Sequence, residues 1–204
     1  MKNIKAKLAS VATVVLAAGL VGGVLTGTAN AAPLKLKYKV TGAAHVVKMN
    51  TDIPIDATVD VELDLASGNF TSKFKQDTAP HVAFKAFGTF DSELDVEFFE
   101  AAPSSGKFVG GKVENFTLPL QIRLKNLTAL GFPLLVGDAC EQKEAPTLTL
   151  GSTGPFDPAK GGDLATTTPY TLSEWSDACG FSTFLINMNS AGPDNTANVK
   201  LAKV

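Results

Sequence analysis

Apolar and polar residues alternate with a period of two over most of this chain, and that alternation constrains its fold more than any other feature. Leu34, Leu36, Tyr38 and Val40 alternate with Lys35, Lys37 and Lys39, and Val59, Val61, Leu63 and Leu65 alternate with Asp60, Glu62 and Asp64. Leu94, Val96 and Phe98 alternate with Glu93, Asp95 and Glu97. The longest run carries Phe116, Leu118, Leu120, Ile122 and Leu124. Successive side chains of a strand point to opposite faces, so each run presents one apolar and one solvated face, as half-buried antiparallel strands do. About ten such runs are recognisable, and no stretch sustains helical periodicity.

The breaks between runs agree with this. Ala66-Ser67-Gly68-Asn69 is a turn that makes residues 57–75 a hairpin, and Pro103-Ser104-Ser105-Gly106 separates the next pair. Pro119 interrupts the longest run; it offers no ladder donor and marks an edge position or a bulge. Two brief helical turns are expected. Asp157-Pro158-Ala159-Lys160-Gly161 has an N-cap, a first-turn proline and a closing glycine, and Thr171-Leu172-Ser173-Glu174 has capping-box spacing. The expected fold is an all-β antiparallel β-sandwich, with a β-barrel as the alternative.

Residues 1–31 read as an address. Lys2, Lys5 and Lys7 form a basic head, Leu8 to Leu25 is apolar, and Ala29-Asn30-Ala31 is a small-x-small pattern. This is a secretory signal peptide with cleavage between Ala31 and Ala32, which leaves residues 32–204 as a single domain. Gly19, Gly22 and Gly23 inside the apolar run and the cleavage pattern after it argue against a membrane anchor. The signal holds three of the 18 basic residues and none of the 20 acidic ones, so the remainder carries 15 against 20, net −5. That balance, with only two histidines, excludes a nucleic-acid partner, which needs a dense cationic face. Cys140 and Cys179 are the only cysteines and both follow the signal. In an oxidising compartment they form one disulfide, since neither C-x-x-C nor a neighbouring histidine suggests a reactive thiol.

From Gly131 the chain carries Gly131-Phe132-Pro133 and Gly137-Asp138-Ala139-Cys140, then Phe156-Asp157-Pro158, Gly161-Gly162-Asp163, Cys179-Gly180 and Gly192-Pro193-Asp194. This framework resembles a group of small secreted actinobacterial proteins with no established activity. The resemblance implies an exported actinobacterial β-protein with a disulfide. It implies nothing about chemistry. The chain departs from the group at Tyr170 to Asp177, where a proline-rich approach to the second cysteine is expected.

Catalytic patterns are scarce. There is no G-x-S-x-G elbow, and His45 and His81 lie in or beside strands, where packed or surface roles are the rule. The acids of 60–64 and 93–97 follow strand alternation and read as solvated faces rather than a carboxylate pair for glycoside hydrolysis. Asp157 and Asp163 lack the spacing of a calcium loop. No catalytic residue, metal site or cofactor is expected. The aromatic inventory is unusual, with 13 Phe against 2 Tyr and 1 Trp. Phe84, Phe87 and Phe90 recur every third residue around Gly88, and adjacent Phe98 and Phe99 must face opposite sides of a strand. The surplus either packs a dry core or lines an apolar cavity. Trp175, close to Cys179, is the candidate surface aromatic, with packing against the disulfide as the competing role.

These observations lead to a secreted, non-enzymatic binding or structural protein, extracellular or envelope-associated. Its expected partner is a lipid or another hydrophobic small molecule, or an envelope protein. A pore ranks lower because three Trp and Tyr residues cannot build interfacial girdles, and a secreted hydrolase ranks lower still. The denatured mass of the exported protein is expected to match a chain beginning at Ala32, less two hydrogens. A mass retaining residues 1–31 would contradict the cleavage.

Overall fold

The computed structural model describes residues 32–204, so the signal peptide and the Ala31–Ala32 cleavage expected from the sequence lie outside the described residues. The described residues are all-β apart from one short helical segment. In order, the strands are β1 (Leu34–Val46), β2 (Thr51–Leu63), β3 (Asn69–Gln76), β4 (His81–Ala86), β5 (Phe90–Glu100), β6 (Ser104–Val109) and β7 (Lys112–Ala129). They continue as β8 (Phe132–Pro133), β9 (Thr147–Ser152), β10 (Gly161–Thr168) and β11 (Tyr170–Leu172). A 3-10 turn (Asp177–Ser182) and helix α1 (Thr183–Ser190) precede β12 (Gly192–Lys203).

All pairings are antiparallel, and the ladder closes on itself. From β7 it runs through β6, β3, β2, β1, β12, β10 and β9, and β9 returns to β7 through Phe116↔Leu150 to Pro119↔Thr147. A sandwich of two separate sheets does not close in this way. The barrel, the alternative read from the sequence, describes these eight strands better, because closure leaves no unpaired edge among them. The 57–75 hairpin is present as β2–β3, in register from Leu63↔Phe70 to Ala57↔Gln76.

Pro119 is neither at an edge nor in a bulge. It sits where β7 exchanges neighbours on one side: its first half pairs with β6 up to Ser105↔Thr117, and its second half pairs with β5 from Glu100↔Leu120 onward. No ladder donor is required at a changeover, which is why proline is tolerated there. Beyond it, β5 and β4 extend the sheet away from the barrel. Where β3 and β5 separate, side chains replace the backbone ladder. Gln76 Nε2 donates to Val96 O at 3.1 Å, the Phe98 amide donates to Gln76 Oε1 at 2.8 Å, and the Phe74 amide donates to Glu100 Oε1 at 2.8 Å. The barrel is therefore flared at this end.

The opposite end is solid. Tyr38 and Phe108 pack edge-on against Phe156 at 5.8 and 6.3 Å, and Phe70 packs edge-on against Phe116 at 5.4 Å, geometries that aromatic quadrupoles favour. The Tyr38 hydroxyl donates to Pro158 O at 2.8 Å. Two voids between these packed side chains hold only about 30 Å³ each.

Cys140 and Cys179 are fully buried and bonded to each other, 39 residues apart in sequence. The bond ties the 3-10 turn to the chain that follows β8. Gly137 sits against the same turn, where a Cβ would come 2.5 Å from Ala178 O. The expected helical turn at Asp157–Gly161 is a single hydrogen-bonded turn, with the Lys160 and Gly161 amides both donating to Asp157 O. The expected turn at Thr171–Glu174 does not form, because Tyr170–Leu172 pairs with β12 as β11 and Ser173 instead bonds Glu144. Replacing both cysteines by serine is expected to lower the unfolding free energy by about 4 kcal/mol, the chain-entropy value for a loop of this length. Urea denaturation measures this, and an unchanged midpoint would contradict it.

Candidate functional site

The flare encloses an apolar cavity of about 320 Å³. Its walls are the inward positions of strands already set by alternation: Ala44 and Val46 of β1, Leu94, Val96 and Phe98 of β5, and Ile122 and Leu124 of β7. These side chains point inward for the same reason as those of the packed end, but the strands diverge too far for them to meet. Trp175 and Tyr170 complete the side wall, and Leu185, Ile186, Asn189 and Ser190 of α1 cover it.

No charged side chain lines this space. Its polar groups are largely consumed in holding the cover. The Phe87 amide donates to Asn189 Oδ1 at 2.9 Å, and Trp175 Nε1 donates to Ser190 Oγ at 2.8 Å, which in turn donates to Ile186 O at 2.8 Å. The Trp175 amide donates to Asn187 Oδ1 at 2.7 Å, and Ser182 Oγ donates to Leu134 O at 2.8 Å. Burial pushes the Tyr170 phenol up to about 12, so it is neutral at every physiological pH. The cavity opens between Phe87, Phe90, Leu130 and Leu185, which line it and are also 44–59% exposed.

The phenylalanine spacing noted in the sequence now has a geometric origin. Phe84 lies on β4, Phe87 in the β4–β5 turn and Phe90 at the start of β5, and all three line the cavity. Phe87 adopts φ 53°, a left-handed conformation that costs a bulky residue on the order of 1–3 kcal/mol and persists only where surroundings enforce it. The hydrogen bond from its amide to Asn189 Oδ1 is one such constraint. Phe98 faces the cavity, whereas Phe99 faces outward with the Arg123 guanidinium 4.9 Å from its ring centre.

Trp175 corrects the sequence reading. It is 2% exposed, so it is not a surface aromatic; its indole lines the cavity and donates to Ser190. Comparison with family models, curated proteins and solved structures gives no match.

The remaining candidates are dispersed. His45 Nδ1 contacts Asp52 Oδ1 at 2.8 Å, and His81 Nδ1 contacts Asp95 Oδ1 at 2.7 Å. The Asp95 bond holds the His81 imidazole above its usual pKa, and its other nitrogen faces Glu93 at 3.6 Å. The strand acids have cationic neighbours: Asp60 with Lys37, Glu62 with Lys35, and Glu97 with both Arg123 and Lys125. Asp157 caps its own turn by accepting from the Ala159 amide at 2.8 Å. Among the described residues no three acidic, histidine or cysteine side chains converge as a metal site would require.

The helical cover escaped the sequence reading because α1 is short and its faces are inverted. Asn189 and Ser190 point inward to make the tethers, while Phe184 and Met188 point to solvent. Asn189→Ala is expected to cost about 1–2 kcal/mol, since it leaves the Phe87 amide without its acceptor. In hydrogen exchange the Phe87 amide is expected to lose protection while amides of the β1–β2 ladder keep theirs. Unchanged protection at Phe87 would contradict the tether.

Proposed function

We propose that this is a secreted, non-enzymatic carrier that holds one hydrophobic small molecule, an acyl chain or a compact hydrocarbon ring system, in the flared end of its barrel. The observation that carries this reading is the predominantly apolar, uncharged cavity of about 320 Å³. Small-molecule sites begin at roughly this size, about 300 Å³, and are lined mainly by hydrophobic and aromatic side chains. At roughly 24 cal/mol per Å³, an empty apolar space of this volume would cost on the order of 8 kcal/mol. That is a large part of the roughly 5–15 kcal/mol by which a domain is stable. An apolar occupant relieves this cost, whereas water would find few partners there.

The faces of the barrel favour a carrier over a pore. A membrane barrel turns an apolar band outward and polar residues into its lumen. Here Lys35, Lys37, Asp60 and Glu62 point outward, and the interior holds Tyr38, Phe70, Phe116 and Phe156 packed against one another.

Trp175 is the only tryptophan and part of the cavity wall, so its fluorescence reports directly on occupancy. A brominated fatty acid is expected to quench it saturably. Ala86→Phe with Ala129→Phe, two half-buried wall positions, is expected to abolish the saturable component by filling the space. Quenching that is linear in lipid, or unaffected by filling, would overturn the proposal.

A further inference from the structure

The exposed hydrophobic residues are concentrated around the cavity mouth. Five of the 13 phenylalanines are exposed, and all five lie at this end of the molecule. Three segments supply them. The β4–β5 turn presents Phe87 and Phe90, the turn after β7 presents Leu130 and Phe132 with Leu135 beyond, and the 3-10 turn with α1 presents Phe181, Phe184, Leu185 and Met188. The segments are tied together by the Phe87–Asn189 and Ser182–Leu134 hydrogen bonds and by the disulfide, so the side chains form one continuous tip. Phe181 is as exposed as in an extended peptide, at 109%, and Leu135 is 85% exposed. A soluble monomer rarely displays so much contiguous apolar surface without a use for it.

The charges identify what the tip meets. Residues 86–90, 129–137 and 178–193 contain no Lys, Arg, Asp or Glu. An uncharged apolar surface on a chain of net −2, or −5 counted over residues 32–204, has nothing to offer an anionic headgroup and nothing to gain from a basic protein. It matches an uncharged hydrocarbon interior. We infer that this tip docks on a lipid surface by inserting Phe181, Phe184 and their neighbours below the headgroups, in the manner of an interfacial helix. Because Phe87, Phe90, Leu130 and Leu185 belong to both tip and cavity, a docked molecule opens its cavity onto the lipid without an aqueous gap. Docking stands on the tip alone, and the transfer of lipid into the cavity rests additionally on the carrier reading.

The test is partitioning of the disulfide-intact protein onto phosphatidylcholine vesicles, with sedimentation velocity on the same samples. Binding is expected, insensitive to salt, and no stronger when anionic phosphatidylglycerol is included. Phe181→Ser with Phe184→Ser changes two solvent-facing residues outside the cavity wall, and is expected to weaken binding at least about tenfold while leaving the melting temperature and Trp175 quenching unchanged. No vesicle binding, binding that needs anionic lipid, undiminished binding by the double variant, or burial of the tip in a stable dimer would each overturn the inference. Vesicle binding by a protein whose cavity takes up no lipid would leave docking intact and remove the carrier reading. Lipid uptake without vesicle binding would do the reverse.

Discussion

The double membership of β7 is the constraint on which the rest of the structure depends. Its first half closes the barrel between β6 and β9, and its second half carries β5 and β4. A strand that keeps both sets of partners cannot follow the barrel's curvature throughout, so the sheet opens beyond Pro119. Everything functional follows from that opening. The inward side chains above it no longer reach one another, and the space between them is left to a cover from elsewhere in the chain.

That cover has little stability of its own. An eight-residue helix is far below the length at which an isolated helix persists in water, so α1 depends on its attachments. Asn189, Ser190 and Asn187 bind it to the β4–β5 turn and to Trp175, and the disulfide fixes the turn that precedes it. Polar residues on the inner face of a helix ordinarily signal a misplaced element. Here they are the means of attachment, and the apolar residues they displace face outward as the tip.

The strands were legible in the sequence because alternation is a local property. Leu36 to Val40, Val59 to Leu63 and Phe116 to Leu124 lie on strands with the expected inward faces, and Cys140 and Cys179 pair as arithmetic required. Closure was not legible, since the β7–β9 pairing joins residues about thirty positions apart and leaves no mark in either run's periodicity. The same holds for Trp175, whose hydrogen-bond partner, Ser190, comes from the cover. The phenylalanine surplus was informative in a way that composition could not divide. Some of these rings pack the closed end, some line the cavity and some face solvent, and only the flare separates the three roles.

The most direct measurement of the central claim is native mass spectrometry of the protein recovered from its own host, compared with its denatured mass. The carrier account predicts a native mass exceeding the denatured one by a discrete increment the size of a single lipid or comparable hydrophobe, reduced in the variant whose cavity is filled at Ala86 and Ala129. A bare chain at native mass, with the cavity intact, would contradict it.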